Sequence, residues 1–328
     1  MMLIKRLFAL LLLAAILSVA AIGYYAVHPQ AVSPLPYDFY LKPGSSLTSA
    51  ARQMQQAGVL GGERLFVILA RAMGKATQIK PGNYQLEQSA SPLQLLEMIS
   101  KGRVTQSEIT IIEGWSFKQF RAALNAAPAV LHDSATLTDA EILQRIGATE
   151  GKAEGLFFPD TYNFASGSSD LLILKRSYQT MKKRLQQSWD GRDKNLPFET
   201  PYQALILASI VEKETGKASD RTMIASVFIN RLRKGMKLQT DPTVIYGMGE
   251  QFDGNIRRRD LSRDTEYNTY TREGLTPTPI ALPGWDSIQA VMHPAVSEAL
   301  YFVARGDGSS QFSNTLAEHN YAVNRYQK

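Results

Sequence analysis

The chain contains no cysteine and only four histidines. Without cysteine there is no disulfide scaffold, no thiol nucleophile and no zinc–thiolate site. The histidines (His28, His132, His293 and His319) are scattered, and no HExxH or comparable spacing pairs them, so a metal site is not expected. A Walker-type phosphate loop and a G-x-S-x-G nucleophile elbow are also missing. Gly247, Met248 and Gly249 begin a dinucleotide-like pattern that no proper third glycine completes. No metal or organic cofactor is therefore called for. What is present is an ordinary globular balance, 44% hydrophobic and 20% charged over 328 residues, which suggests two domains. The net charge of +6 suits an anionic surface: membrane lipid, cell wall or nucleic acid.

One long apolar run stands out. Lys5 and Arg6 precede Leu7–Val27, which carries no charge at all. Such a stretch makes a helix of about 30 Å, enough to cross a bilayer. The basic pair places the amino end inside and the rest outside, and Tyr24 and Tyr25 sit where an interfacial aromatic belt belongs. Ser18, Val19 and Ala20 loosely fit a signal-peptide cleavage site. The apolar run continues past them, so an uncleaved anchor is expected. In either case the chain from His28 onward works outside the cytoplasm, which argues against a nucleic-acid partner.

After a proline-containing linker the pattern reads strand, helix, helix, strand. Tyr37–Lys42 alternates as a short strand; Ser45 or Ser46 caps a helix through Gln56, and Gly58 stops it. Glu63–Met73 places Leu65, Phe66, Leu69 and Met73 on one face. Pro81–Leu86 returns as a strand, followed by a helix over Pro92–Ser100 and a strand over Glu108–Ile112. This βααβ order is similar to that of a LysM module, a small carbohydrate-binding fold. Further on, Ser116 caps Phe117–Asn125, Asp139–Ile146 is helical, and Leu171–Trp189 is a long helix with a basic solvated face. Between them, Glu154 to Tyr162 (EGLFFPDTY) is dense in aromatic and acidic residues. It reads equally as the lining of a saccharide groove or as a loop packed on Phe157 and Phe158.

The most informative stretch runs from Tyr202 to Met248. Its first part is an apolar helix on which Leu207, Ile210, Val211 and Glu214 fall at i, i+3, i+4 and i+7, one face. Glu214 continues the apolar stripe, whereas Glu212 points about 160° away. A carboxyl at the end of such a stripe, with Gly216 behind it, is placed for partial burial, which raises its pKa toward that of a proton donor. A surface Glu paired with Lys217 is the competing reading. A second helix over Asp220–Lys234, with Ser219 as cap, puts Ile224, Val227, Phe228 and Arg231 on one face against the first.

The combination of VEKET ending at Thr215, FINRL at Phe228–Leu232, LQTDPTVIYGMG from Leu238, YNTY at Tyr267–Tyr270 and EHN at Glu318–Asn320 resembles the YceG-like endolytic murein transglycosylases over essentially the whole chain. The resemblance implies an α+β architecture: a cytoplasmic start and single transmembrane helix over 1–30, a LysM-like module over 31–105, and a mixed catalytic domain over 106–328 bearing its catalytic glutamate on a helix. It implies a lyase of the inner membrane, with its catalytic part in the periplasm. Such an enzyme cuts the β-1,4 bond between N-acetylmuramic acid and N-acetylglucosamine in nascent peptidoglycan and leaves 1,6-anhydro ends. Termination of strand elongation and contact with peptidoglycan synthases would follow.

Carried over by position, Glu214 matches the catalytic acid, and Gln239 and Asp241 match cleft positions. Tyr267 and Asn268 resemble the Tyr-Asn pair that other lytic transglycosylases place beside their acid; Tyr270 and Glu154 complete the expected substrate contacts. Asp241 or Glu154 serves as a second carboxylate only if the fold brings it close. The family's usual GLPPGPI reads GLTPTPI here, with Thr276 and Thr278, and Ser310 stands where a histidine is common. A lysozyme-like hydrolase and a non-catalytic wall-binding scaffold are the rival readings.

Overall fold

The computed structural model describes residues 2–327. Helix α1, Met2–Val27, is followed by β1 (Tyr37–Leu41), α2 (Leu47–Gln56), α3 (Glu63–Ala72), β2 (Gly82–Leu86), α4 (Pro92–Lys101) and β3 (Gln106–Thr110). Next come α5 (Phe117–Ala126), β4 (Val130–Leu131), α6 (Asp139–Ile146), β5 (Thr161–Ala165), β6 (Ser168–Ser169) and α7 (Asp170–Asp190). The remainder is α8 (Pro201–Glu214), α9 (Ala218–Arg233), α10 (Asp241–Met248), α11 (Arg258–Ser262), α12 (Trp285–Met292), β7 (Tyr301–Ala304), β8 (Ser310–Ser313) and α13 (Leu316–Tyr326). The architecture is mixed α+β, and α1 alone among the described residues is long and apolar enough to cross a membrane. Two compact units form. One holds residues 1–108 with 129–131 and 163–168; the other holds 109–128, 132–162 and 169–328.

In the first unit, β1 and β2 pair antiparallel, with Phe39 opposite Tyr84 and Leu41 opposite Gly82. Alternation sends Phe39, Leu41, Tyr84 and Leu86 to the same side, where the Phe39 and Tyr84 rings stack at 5.5 Å. Met54 of α2, Phe66 and Leu69 of α3, and Leu95 and Ile99 of α4 close over them. Local signals set the helix starts. Ser46 accepts from the Ser49 amide, and Ser91 forms a capping box with Gln94 ahead of Pro92. Two expectations change. On α3, Leu65 and the following Met73 face water rather than the core, whose contacts come from Phe66, Leu69 and Ala70. The strand expected at 108–112 lies two residues earlier, because the polar Gln106–Glu108 stretch also pairs in the ladder.

The second unit is built around α8. Thr200 caps it by accepting from the Gln203 amide, Pro201 occupies its first turn, and every residue from Ala204 to Val211 is buried. The single apolar stripe expected here is therefore an apolar girth, because α7, α9, α10 and α12 all pack on this helix. Helix α9 begins at Ala218 without a side-chain cap, two residues earlier than expected. Ser219 does not cap it; the Ser219 hydroxyl donates instead to Asp220, whose other oxygen accepts from the Ser310 amide. On α7, Arg184 is not simply solvated: its guanidinium lies 4.4 Å from the Phe158 ring and 5.2 Å from Trp285.

Candidate active site

Glu214 is the last residue of α8 and is half-buried. Burial pushes its carboxyl above the usual range and Asp241 adds to the rise, while a hydrogen bond from the Thr240 hydroxyl and the nearby Arg231 charge oppose it. No ion pair joins Glu214 to Lys217 among the described residues. The surface-pair reading therefore falls. Glu212 turns to another task, as the opposite face requires: its carboxylate accepts from the Gly284 amide at 3.0 Å and the Ser287 hydroxyl at 2.7 Å, at the start of α12.

Thr240 is held by a buried knot of hydroxyls. Its amide donates to Thr269 Oγ1 at 3.1 Å, and Thr243 Oγ1 donates to its carbonyl at 2.8 Å while lying 2.9 Å from Thr269 Oγ1. Asp241 opens α10 beside it and accepts from the Tyr270 hydroxyl at 2.5 Å. Arg231 sits beneath, only 7% exposed, with its guanidinium bound to the carbonyls of Leu300 and Leu238 and lying 5.3 Å from the Tyr301 ring. Gln239 is exposed and adopts a left-handed backbone with φ 51°, and its amide donates to Thr269. That conformation lets the chain turn from buried Leu238 into buried Thr240.

Asn268 departs from the expected role. It is 1% exposed; its Nδ2 donates to the carbonyls of Asp260, Leu261 and Arg263, and its Oδ1 accepts from the Tyr270 amide. Its amide is fully occupied within the protein. It braces the loop that presents Tyr267 and Tyr270 rather than reaching outward.

Glu154 lies apart from Glu214. It is buried, accepts from the Phe117 amide at 2.9 Å and the Tyr246 hydroxyl at 3.3 Å, and is pushed up to about 7 by burial. Tyr246 packs edge-on to Tyr267 at 4.9 Å, and the Tyr267 hydroxyl lies 2.9 Å from that of Thr278. These groups line a cleft of about 740 Å³ on which Glu214 has no wall. The two places are joined by α10, since Asp241 faces one and Tyr246 the other, roughly 7.5 Å apart along the helix, and by Tyr267–Tyr270 alongside it. Most of the rest of the EGLFFPDTY stretch is core, although Asp160 and Thr161 are exposed. Leu156, Phe157 and Phe158 are buried, and Phe157 stacks on Phe117 at 4.7 Å. Gly155 is required at its crossing: φ is +79°, and an added Cβ would come within 2.3 Å of Pro279.

Thr240, Arg231, Tyr246 and Thr278 complete the arrangement without having been singled out as site residues. Thr240 stands between the expected Gln239 and Asp241, and no periodicity marks it. The Thr278 hydroxyl meets that of Tyr267 and donates to the Pro279 carbonyl.

Fold and site together define an α+β protein with a raised-pKa carboxyl at the end of a buried helix, faced by a hydroxyl and a second carboxylate. The YceG-like family matches residues 39–325, and the chain belongs to that family. It is 32% identical to the endolytic murein transglycosylase of Bacillus subtilis (strain 168) over 304 residues, covering 86% of this chain and 82% of the relative. It is 28% identical to the endolytic murein transglycosylase of Streptococcus pneumoniae serotype 2, covering 92% of this chain but 62% of that longer protein. A crystal structure of a YceG-like protein from Listeria monocytogenes superposes with a TM-score of 0.55 at 28% identity, covering 88% of this chain and 99% of that one.

Proposed function

We propose that this chain is an endolytic lytic transglycosylase of peptidoglycan in which Glu214 serves as acid and then as base. The observation that carries the reading is the Glu214 carboxyl, desolvated at the end of α8 beside Thr240 and Asp241, in a member of a family whose relatives are named for this activity. Protonated Glu214 gives its proton to the glycosidic oxygen as the bond from the muramic C1 breaks. The substrate's acetamido oxygen supports the electron-poor C1, so no protein nucleophile is needed. Ionised Glu214 then takes the proton from the muramic C6 hydroxyl as O6 closes on C1, which yields the 1,6-anhydro ring and restores the acid. Asp241, steadied by Tyr270, keeps Glu214 protonated until the bond breaks.

Gln239, Asp241, Tyr267, Tyr270 and Glu154 form the saccharide contacts in this reading, with Asn268 bracing them. Helix α1 anchors the chain in the inner membrane, with both units in the periplasm; the β1-α2-α3-β2 order supports a LysM-like glycan contact in the first unit. Action on nascent strands would end their elongation and place the protein near peptidoglycan synthases. Mass spectrometry of peptidoglycan digested by the full chain tests the reading. Products ending in 1,6-anhydro-muramic acid are expected; free reducing ends would mean hydrolysis, and no cleavage would mean a scaffold.

A further inference from the structure

The first unit carries an apolar and basic face that its own core leaves uncovered. On α3, Leu65 is 40% exposed and Ile68 47% exposed, and Ala72 is exposed beside them. Positions 65, 68 and 72 fall on one strip of a helix, at i, i+3 and i+7. Arg64 and Arg71, both exposed, flank the strip on its polar side. A groove of about 640 Å³ runs beside it, lined by Arg52, Gln55, Gln56, Glu63, Arg64 and Leu65; Arg52 pairs with Glu63 at 3.2 Å, which leaves Arg64 as its uncompensated cation among the described residues. Isolated exposed leucines need no explanation. Here a continuous strip, a flanking pair of arginines and an arginine-lined groove coincide, the pattern of a helix that lies along a membrane surface.

The placement of α1 says which surface. Ile22, Tyr25 and Ala26 share one face of α1; Ile22 and Tyr25 are half-buried and Ala26 is buried in the core of the first unit. Helix α1 packs against α3 and α4, and the Tyr25 hydroxyl donates to the carbonyl of Gly62, the residue that caps α3, at 3.0 Å. Beyond the span, the Gln30 amide donates to Ala90 at 2.9 Å, just before α4. Ile22 lies five residues before the end of the candidate span, about 7.5 Å of helix rise. Tyr25, which meets the start of α3, lies only two residues before that end, so the start of α3 sits at the depth of the last turn of the span, where headgroups meet acyl chains.

We propose that the outer strip of α3 and the arginine-lined groove beside it rest in the headgroup layer of an anionic phospholipid bilayer, as a second membrane contact next to α1. This rests on the reading of α1 as an anchor. Leu65 and Ile68 enter the acyl boundary, while Arg64 and Arg71 meet lipid phosphates. The consequence is a fixed stance of the first unit on the membrane rather than a tether free to swing.

Because the chain has no cysteine, a single Ile68→Cys carries one fluorophore without further changes. The labelled full chain is placed in phosphatidylcholine vesicles with and without phosphatidylglycerol, and quenching by brominated acyl chains and by aqueous iodide is measured. Carbonate extraction of the same vesicles reports separately whether α1 anchors the chain. The expected result is at least about twofold quenching by brominated lipid when phosphatidylglycerol is present, reduced by Arg64→Gln with Arg71→Gln. A label quenched by iodide alone in a carbonate-resistant chain would overturn the proposal. So would one shielded from both quenchers, because another protein surface would then cover α3.

Discussion

Around Glu214, the proposed proton-transfer residue, opposing effects meet. Burial and the Asp241 charge hold the Glu214 proton, while the Thr240 hydroxyl and the Arg231 guanidinium favour its release. In the proposed mechanism, acid catalysis is present while Glu214 is protonated and is lost as pH rises through its pKa. Removing the Thr240 hydroxyl with Thr240→Val raises that pKa further, so the alkaline limb of the rate profile moves to higher pH. Asp241→Asn removes a like charge and moves the same limb to lower pH. A profile of kcat/KM for both variants checks this; shifts of the same sign would contradict the assignment. Glu154 offers a stability test. Its carboxyl rises from an ordinary 4.5 to about 7 on burial. Its protonated form favours the folded state below about pH 4.5, and that advantage is lost as pH rises through about 7, a difference worth about 3 kcal/mol. Glu154→Gln should flatten this part of the pH dependence of Tm; an unchanged slope between the two pH values would count against a buried Glu154.

At the scale of elements, two polar side chains hold pieces of backbone that the site depends on. Asn268 satisfies the loop before α12 with bonds to three carbonyls and one amide, and Glu212 satisfies the start of α12. Asn268→Ala should cost about 1–3 kcal/mol and reduce activity together with stability, because buried backbone groups lose their partners. Glu212→Ala should cost about 1–2 kcal/mol while the folded protein keeps its rate, since the lost bonds lie at a helix start away from Glu214. Denaturant melts beside rates per folded molecule separate the two. If Asn268→Ala melts like the parent yet cuts slowly, Asn268 contacts substrate after all. These roles show what a sequence can and cannot display. The ends of α2, α4, α5 and α6 are legible because each is signalled by its own cap within a few residues. The partners of Glu154 are not, since Phe117 lies 37 residues away and Tyr246 lies 92 away. Asn268 reads as a site residue because, with Tyr267, it resembles a Tyr-Asn pair, while its own burial depends on a loop whose path no local pattern reveals.

For the whole molecule, the apolar amino-terminal run and the position of Glu214 are legible because hydrophobic length and helical spacing are one-dimensional signals. The separation of Glu154 from Glu214 is not, because it depends on how α10 and the 267–270 segment align. The anchored reading predicts that amino-terminal sequencing of the membrane-bound protein finds the chain intact through Leu7–Val27; a mature start near Ala21 would contradict it. The central claim is that one carboxyl performs both proton transfers. The most direct test compares the parent with Glu214→Gln on isolated glycan strands, reading 1,6-anhydro-muramyl products by mass spectrometry and folding by thermal melt. Glu214→Gln keeps the size of the side chain and an oxygen that can accept from Thr240 but has no transferable proton, so product release should fall by at least about 10²–10⁴-fold with the fold retained. A folded Glu214→Gln protein that still released anhydro products at the parental rate would contradict the account.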